Sequence, residues 1–232
     1  MKKTKKTFLL LFILIFPSAF YVYLTAGKEG SFVRLPYYGP KHPIVLVEEG
    51  KTKKDTVFYA LPGFVFFNQQ GNKISSLSLL DRIWVCCFEY LHDMQTSPSQ
   101  AILMNRVEGR TDLDTTLRLV TFALDSESTK SLADYAHLVH AGKRQIFLSD
   151  GPGKISDFAS TDFYQPVDSS YKNGFIHFFL IDREGCIRGI YNGLHVKDID
   201  KLIDDISVLE AAYYVKENRE KSKKGEDDDG AM

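Results

Sequence analysis

Histidine and aspartate side chains near one loop are the first candidates for metal chemistry. His92 and Asp93 open the loop HDMQTSP, directly after an apolar run over residues 83–90, and His177 lies near the start of a later apolar run. Imidazole and carboxylate groups suit a hard or borderline ion such as Zn(II) or Cu(II). The alternative is a solvated loop without a ligand, in which Asp93 complements the dipole of the following helix.

Three cysteines offer thiol chemistry, but an odd and small number predicts no disulfide framework. Cys86 and Cys87 are neighbours within 83–90, so in a strand they point to opposite faces. We interpret them as small buried apolar side chains. A strained vicinal disulfide, a metal site, or pairing of either with Cys186 are the alternatives. A thiol oxidoreductase or peroxidase is the least favoured class, because the loop after the run holds no cysteine to act as thiolate.

The remaining polar candidates have simpler structural interpretations. Ser97 caps a helix and Pro98 occupies its first position, whereas a nucleophilic Ser97 has no visible adjacent base. His137 and His140 are three residues apart on a predicted helix, a spacing that can bind metal, but we favour the interpretation that they lie on the helix surface. His195 precedes the last helix as a cap or surface residue.

The elements that position these residues follow from the apolar pattern. The run 83–90 is continuous and rich in β-branched and aromatic residues, as in a central strand buried on both faces. The other predicted elements are a hairpin at 64–75, a helix from 97, a strand at 117–124, a helix at 131–140, a strand at 145–148, a helix at 155–159, a hairpin at 175–191 and a helix at 196–214. This order predicts a thioredoxin-like α/β fold, a central mixed sheet flanked by helices.

Charge and hydropathy divide the chain into four parts. Four lysines precede an uncharged run at 8–26, which predicts an N-terminal membrane anchor over 1–27, with a cleaved signal peptide as the alternative. Residues 28–54 form an extended tether, 55–215 the domain, and 216–232 a charged disordered tail. Either N-terminal interpretation exports the domain. The net charge of −1 argues against nucleic-acid binding.

Four stretches resemble the Sco/SenC family, membrane-anchored thioredoxin-fold proteins that help to assemble the copper site of cytochrome c oxidase. They occur in the family's order within 36–209 and at its spacing. The stretches are LPYYGP, PGFVFFNQQGNKIS, LIDREGCIRGIYNG and DIDKLIDDISVL. The resemblance implies copper as a cofactor and an anchor in the cytoplasmic (inner) membrane, with the domain facing the periplasm or cell exterior.

The family's ligand motif is Cys-x-x-x-Cys-Pro after the central strand, with a distant His before the late hairpin. Aligned on Pro98, the two cysteine positions fall at Asp93 and Ser97, and the His position falls at Gly174. His177 is three residues later, and an odd shift along a strand turns a side chain to the other face. The chain is therefore expected to lack conventional CxxxC redox and copper chemistry, and not to be an enzyme.

Two functions remain open from the sequence. The first is a divergent Sco-like protein in copper handling or oxidase assembly, acting on a cytochrome oxidase subunit or a Sco-type relative, or through an altered metal site at Asp93, His92 and His177. The second is a metal-free thioredoxin-fold interaction module tethered to the membrane.

Overall fold

The computed structural model describes residues 15–16, 20, 34–48, 51–91, 97–111, 117–125, 128–150, 153–164 and 177–229. Its strands are β1 (Lys41–Glu48), β2 (Lys51–Phe58), β3 (Val65–Asn68), β4 (Lys73–Ser75), β5 (Trp84–Glu89), β6 (Arg118–Ala123), β7 (Gln145–Ser149), β8 (His177–Ile181) and β9 (Ile187–Asn192). Its helices are α1 (Ser97–Arg110), α2 (Thr129–Leu138), α3 (Lys154–Asp162) and α4 (Val196–Asp229).

The main sheet has seven strands in the order β4-β3-β7-β6-β5-β8-β9. Strands β5, β6 and β7 are parallel, whereas β8 and β9 and the β3–β4 hairpin are antiparallel. A parallel βαβα unit followed by a ββα unit is the thioredoxin-like arrangement, so the predicted fold is confirmed.

Strand β5 lies inside the sheet between β6 and β8, and every one of its residues is buried. Cys86 belongs to the aromatic core on one face of the sheet, which also contains Phe88, Phe122 and Phe158. Cys87 belongs to the core on the other face, beneath α1 and α4. The predicted opposite orientations are therefore confirmed. All three cysteines are free thiols, so neither alternative disulfide forms.

The predicted tether contains regular structure that sequence reasoning missed. Strands β1 and β2 form a separate two-stranded sheet, so the predicted boundary at 54/55 falls inside β2. The exposed Pro43 in β1 is compatible with an edge strand, since proline lacks the backbone N–H that pairing with a further strand would need. Leu35, by contrast, is buried in the domain core, as expected for a segment that lies on the domain.

The prediction of a disordered tail from residue 216 is wrong as far as Asp229, because α4 continues to that residue. The Nη1 atom of Arg183 lies 2.5 Å from Oε1 of Glu217, and the Arg183 guanidinium lies over the Tyr213 ring. Lysine, glutamate and arginine are good helix formers, so a charged sequence extends a helix that packing has already started.

The predicted anchor at 1–27 lies outside the described residues, apart from three positions. No helix within the described part of the chain is long and apolar enough to cross a membrane.

Candidate functional site at the carboxyl edge of the sheet

The parallel strands β5, β6 and β7 all end at one edge of the main sheet, which we call the carboxyl edge. Ligands of open α/β sheets bind outside this edge, where loops leave the strands. The antiparallel register pairs Cys86 with Phe179, so His177 at the start of β8 comes level with the end of β5. The topology therefore brings His177 to the edge from which the loop 92–96 departs.

His177 is the one predicted metal ligand that the described residues include. It is half-buried, and its Cα pairs with that of Asn192 on β9. Burial lowers the pKa of the His177 imidazole. A lowered pKa favours the neutral ring, which is the form that binds metal ions.

The other predicted site residues have partial or no structural description. His92, Asp93 and Gly174 lie outside the described residues, so the three-residue site at His92, Asp93 and His177 stays a prediction. Ser97 begins α1, which agrees with its predicted place at the helix start. Within the described ranges, no group of three or more His, Cys, Asp and Glu side chains could hold a metal ion.

A buried polar cluster lies at the end of β5, where sequence reasoning predicted only apolar contacts. Glu89 is 2% exposed, and its Oε1 atom accepts a hydrogen bond from the Cys87 thiol at 3.3 Å. The Tyr135 hydroxyl on α2 donates to Oε2 of Glu89, also at 3.3 Å. The sequence did carry a signal, because Glu89 is the one charged residue within the apolar run 83–90.

The cluster makes Cys87 a poor redox group. Burial, with a further contribution from the Glu89 carboxylate, raises the pKa of Cys87 well above its ordinary value. Burial alone raises the pKa of Cys86 in the same direction. Because the thiolate is the reactive form, raised pKa values disfavour nucleophilic chemistry at both residues.

Backbone contacts fix the start of the loop. The Asp125 carboxylate after β6 accepts a hydrogen bond from the Leu91 N–H at 3.1 Å, and the Leu124 N–H donates to the Glu89 carbonyl at 2.8 Å. The Asp125 side chain therefore positions the backbone at Leu91, just before the loop 92–96.

The opposite edge, where β5, β6 and β7 begin, we call the amino edge. There Arg188 forms a buried ion pair with Asp182, at 2.9 Å between Nη1 and Oδ2. The same guanidinium donates to the carbonyls of Leu35 at 2.7 Å and Pro36 at 3.1 Å, and lies 3.9 Å from the Tyr37 ring centroid. This one cation therefore holds the LPYYGP stretch on the domain.

Comparison with known proteins identifies the same family that the sequence resembles. No family model matches the chain. The SCO1 protein homolog of Bacillus subtilis is 24% identical over 166 residues, which cover 68% of this chain and 86% of that protein. The resemblance to the Sco/SenC family is confirmed.

Solved structures with this fold include Sco proteins. A SCO1/SenC family lipoprotein from Bacillus anthracis has a TM-score of 0.58 at 21% identity, covering 65% of this chain and 95% of that one. BsSco, a member of the Sco family of cytochrome c oxidase assembly proteins, has a TM-score of 0.55 at 22% identity, covering 64% and 92%. ScoI of Arabidopsis thaliana, solved with copper bound, has a TM-score of 0.50 at 17% identity, covering 67% and 100%.

Proposed function

We propose that this chain, a divergent relative of the Sco/SenC proteins, is a membrane-anchored factor for copper handling or for assembly of a respiratory cytochrome oxidase. It acts on an oxidase subunit or a Sco-type relative, outside the cytoplasmic membrane, and without CxxxC redox chemistry. The observation that carries the proposal is the joint similarity in sequence and fold, which extends over most of the domain and of its relatives.

The amino edge supports the family assignment at the level of residues. Two of the four stretches that resemble the family, LPYYGP and LIDREGCIRGIYNG, meet at Arg188, which binds the first from within the second. The joint resemblance of the two stretches to the family therefore has a structural reason, because each stretch supplies hydrogen-bond partners for buried polar groups of the other.

The carboxyl edge supports the departure from conventional chemistry. Asp93 and Ser97 stand where the family motif has thiolates, and oxygen donors do not select Cu(I) as sulfur does. The thiols that remain are buried with raised pKa values. If a metal binds, the donors are the imidazole of His177 with oxygen or imidazole groups of the loop, a set suited to Cu(II) or Zn(II).

The test is metal binding by the full chain in detergent micelles. Cu(I) and Cu(II) are titrated separately against competing chelators, with His177→Ala and Asp93→Ala as site variants and His137→Ala, an exposed histidine on α2, as the matched control. Tight one-to-one Cu(II) binding that both site variants lose and the control keeps supports an altered metal site. Binding that His137→Ala weakens as much identifies adventitious surface histidines and contradicts that site.

A second candidate function is a metal-free interaction module, and the replacement of both family thiolates by Asp93 and Ser97 favours it. In that case, the full chain retains no more copper than the His177→Ala variant does, yet captures an oxidase subunit or a Sco-type protein equally well with and without chelator. Loss of capture on chelation would contradict this second function.

A further inference from the structure

The three parallel strands share a charge pattern that the net charge of the chain does not reveal. Each strand begins beside an arginine and ends beside a carboxylate. The pairs are Arg82 and Glu89 for β5, Arg118 and Asp125 for β6, and Arg144 and Asp150 for β7. Because the strands are parallel neighbours, all three arginines lie at the amino edge and all three acids at the carboxyl edge. The sheet is polarised, although the chain carries a net charge of only −1.

Backbone hydrogen bonds place the arginines side by side. The Arg118 N–H donates to the carbonyl of Ile83, next to Arg82, at 3.0 Å, and the Leu119 N–H donates to the Arg144 carbonyl at 3.0 Å. Burial lowers the pKa of Arg118, and the charges of Arg82 and Arg144 lower it further. The guanidinium groups of Arg82 and Arg144 are thus close enough to that of Arg118 to repel it.

Two exposed cations extend this cluster. Lys143 precedes Arg144, and Arg110 ends α1 one residue before Thr111, whose carbonyl accepts a hydrogen bond from Nη2 of Arg144 at 3.0 Å. Glu108 is the carboxylate within the cluster, and it accepts hydrogen bonds from the Arg144 N–H at 3.0 Å and from Gln145 at 2.8 Å. Its charge is therefore directed at the loop before β7.

Acidic residues also occur near this edge. Asp81 is exposed beside Arg82, and Asp112 and Asp114 belong to a segment outside the described residues. The Asp81 carboxylate reduces the positive field, so an attraction from this edge acts at short range and depends on ionic strength. Neutralising three cations at this edge is therefore compared with neutralising three at the carboxyl edge, so that the total charge changes equally in both variants.

The polypeptide from the predicted anchor enters the domain at the same edge. The Asp81 N–H donates to the Arg183 carbonyl at 3.0 Å, so the β8–β9 turn adjoins the start of β5. Strand β9 begins just after that turn, and its Arg188 donates hydrogen bonds to the carbonyls of Leu35 and Pro36. Only residues 27–34 separate the predicted span at 8–26 from Leu35, a length of at most about 30 Å even when fully extended.

We infer that the amino edge lies against the anionic phospholipid headgroups of the membrane and orients the carboxyl edge away from it. The inference rests on the membrane anchor in the proposed function. Phospholipid is favoured over an acidic protein partner because the short connection keeps this edge next to the bilayer, where anionic headgroups attract basic side chains. The candidate site then faces a partner that approaches from the aqueous side.

The experiment measures which edge approaches the lipid. The full chain is reconstituted into vesicles of phosphatidylcholine, with or without phosphatidylglycerol, that carry a headgroup-attached quencher. A fluorophore is attached through Gly109→Cys at the amino edge or, in a second protein, through Leu194→Cys at the carboxyl edge. A Cβ at Gly109 meets no atom within 4 Å, and Leu194 is exposed, so neither change disturbs packing.

We expect phosphatidylglycerol to increase quenching of the Gly109→Cys label and not of the Leu194→Cys label, and added salt to reverse the increase. The combined variant Arg82→Gln, Arg110→Gln, Lys143→Gln should abolish the increase in quenching, since each cation near the surface changes affinity for the membrane about fivefold. The matched control neutralises three exposed lysines at the carboxyl edge, Lys130→Gln, Lys154→Gln, Lys197→Gln, and should still show the increase.

Three results would overturn the inference. A full chain that fails to float with phosphatidylcholine vesicles refutes the anchor and with it the orientation. A chain that floats but gives equal quenching of the two labels refutes the orientation and leaves the anchor standing. Equal loss of quenching in the two triple variants shows a response to net charge, which also refutes a role for the amino edge.

Discussion

The two edges of the main sheet differ in how closely they follow the family. At the amino edge, the buried charges are paired and the tether is bound by named contacts, and the stretches that form it resemble Sco/SenC sequences. At the carboxyl edge, contacts such as the hydrogen bond from Leu91 to Asp125 hold the strand ends, but the residues predicted to stand at the family's ligand positions differ in chemical type. The comparison favours our proposal that the scaffold persists while the ligand set changes.

The largest expected effect comes from breaking the buried pair at the amino edge. Arg188→Ala leaves the Asp182 carboxylate buried without its cation and releases two carbonyls of the tether. We expect a loss of about 3–5 kcal/mol in the free energy of unfolding, measured by urea denaturation. The control Lys154→Ala removes an exposed pair with Asp150 at the other edge and should cost less than about 0.5 kcal/mol. Similar losses for the two variants would contradict the contrast between the edges.

A smaller effect is expected at the carboxyl edge. Tyr135→Phe removes the hydroxyl that donates to Glu89 but keeps the ring that packs on Phe147. We expect a loss of about 1–2 kcal/mol in unfolding free energy, since a buried carboxylate loses one donor. The matched change Tyr164→Phe, at an exposed tyrosine, should be neutral in the same denaturation experiment. A neutral Tyr135→Phe would show that the cluster does not contribute to stability.

Thiol reactivity distinguishes the edges without a change in stability. Burial raises the pKa of Cys186, near the amino edge, to about 11, and also raises the pKa values of Cys86 and Cys87. In the native protein at neutral pH, a colorimetric thiol reagent should therefore react slowly with Cys186, and more slowly still with the other two, because their side chains are fully buried and the reagent cannot reach them. In denaturant, all three thiols should react rapidly and at similar rates. A fast native thiol would contradict the assignment of no redox role.

The smallest effect is the pH dependence at His177. Because burial lowers its folded pKa, the unfolded chain binds more protons in acid, so the contribution of His177 to stability is full above its unfolded pKa and falls as the pH is lowered. His177→Gln should make stability less dependent on pH between about 5 and 7. The exposed control His195→Gln should leave the slope unchanged, and an unchanged slope in His177→Gln would show that its burial has no effect on stability.

Much of the fold was predictable because its signals are local. The apolar run around Cys86 and Cys87 indicated a strand buried on both faces because it is short and rich in β-branched and aromatic residues, and Ser97-Pro98 marked the start of α1. The hairpin at 41–58 was missed because a Pro- and Lys-rich segment was interpreted as a tether. The C-terminal part of α4 was missed because a charged sequence was interpreted as disordered. Contacts such as that of Arg183 with Glu217 could not be predicted, because they depend on tertiary structure.

The candidate site was less predictable because it depends on pairing between distant segments. Counting positions gave Asp93, Ser97 and Gly174, but it could not show that β8 brings His177 level with the end of β5. Glu89 was overlooked, because its partners Tyr135 and Cys87 meet only after α2 packs on the sheet. The polarity of the sheet was hidden for the same reason, since Arg118 and Arg144 become neighbours only through strand pairing.

The most direct test of the central claim restores the family's two thiolate ligands to the present scaffold. Asp93→Cys and Ser97→Cys are combined in the full chain, and Cu(I) is titrated against a competing thiol chelator. If the carboxyl edge keeps the Sco frame and the two thiolates suffice for Cu(I) without the histidine that Gly174 replaces, the double variant binds one Cu(I) tightly and the unaltered chain does not compete. Failure of the folded double variant to gain Cu(I), or tight Cu(I) binding by the unaltered chain, would contradict the account.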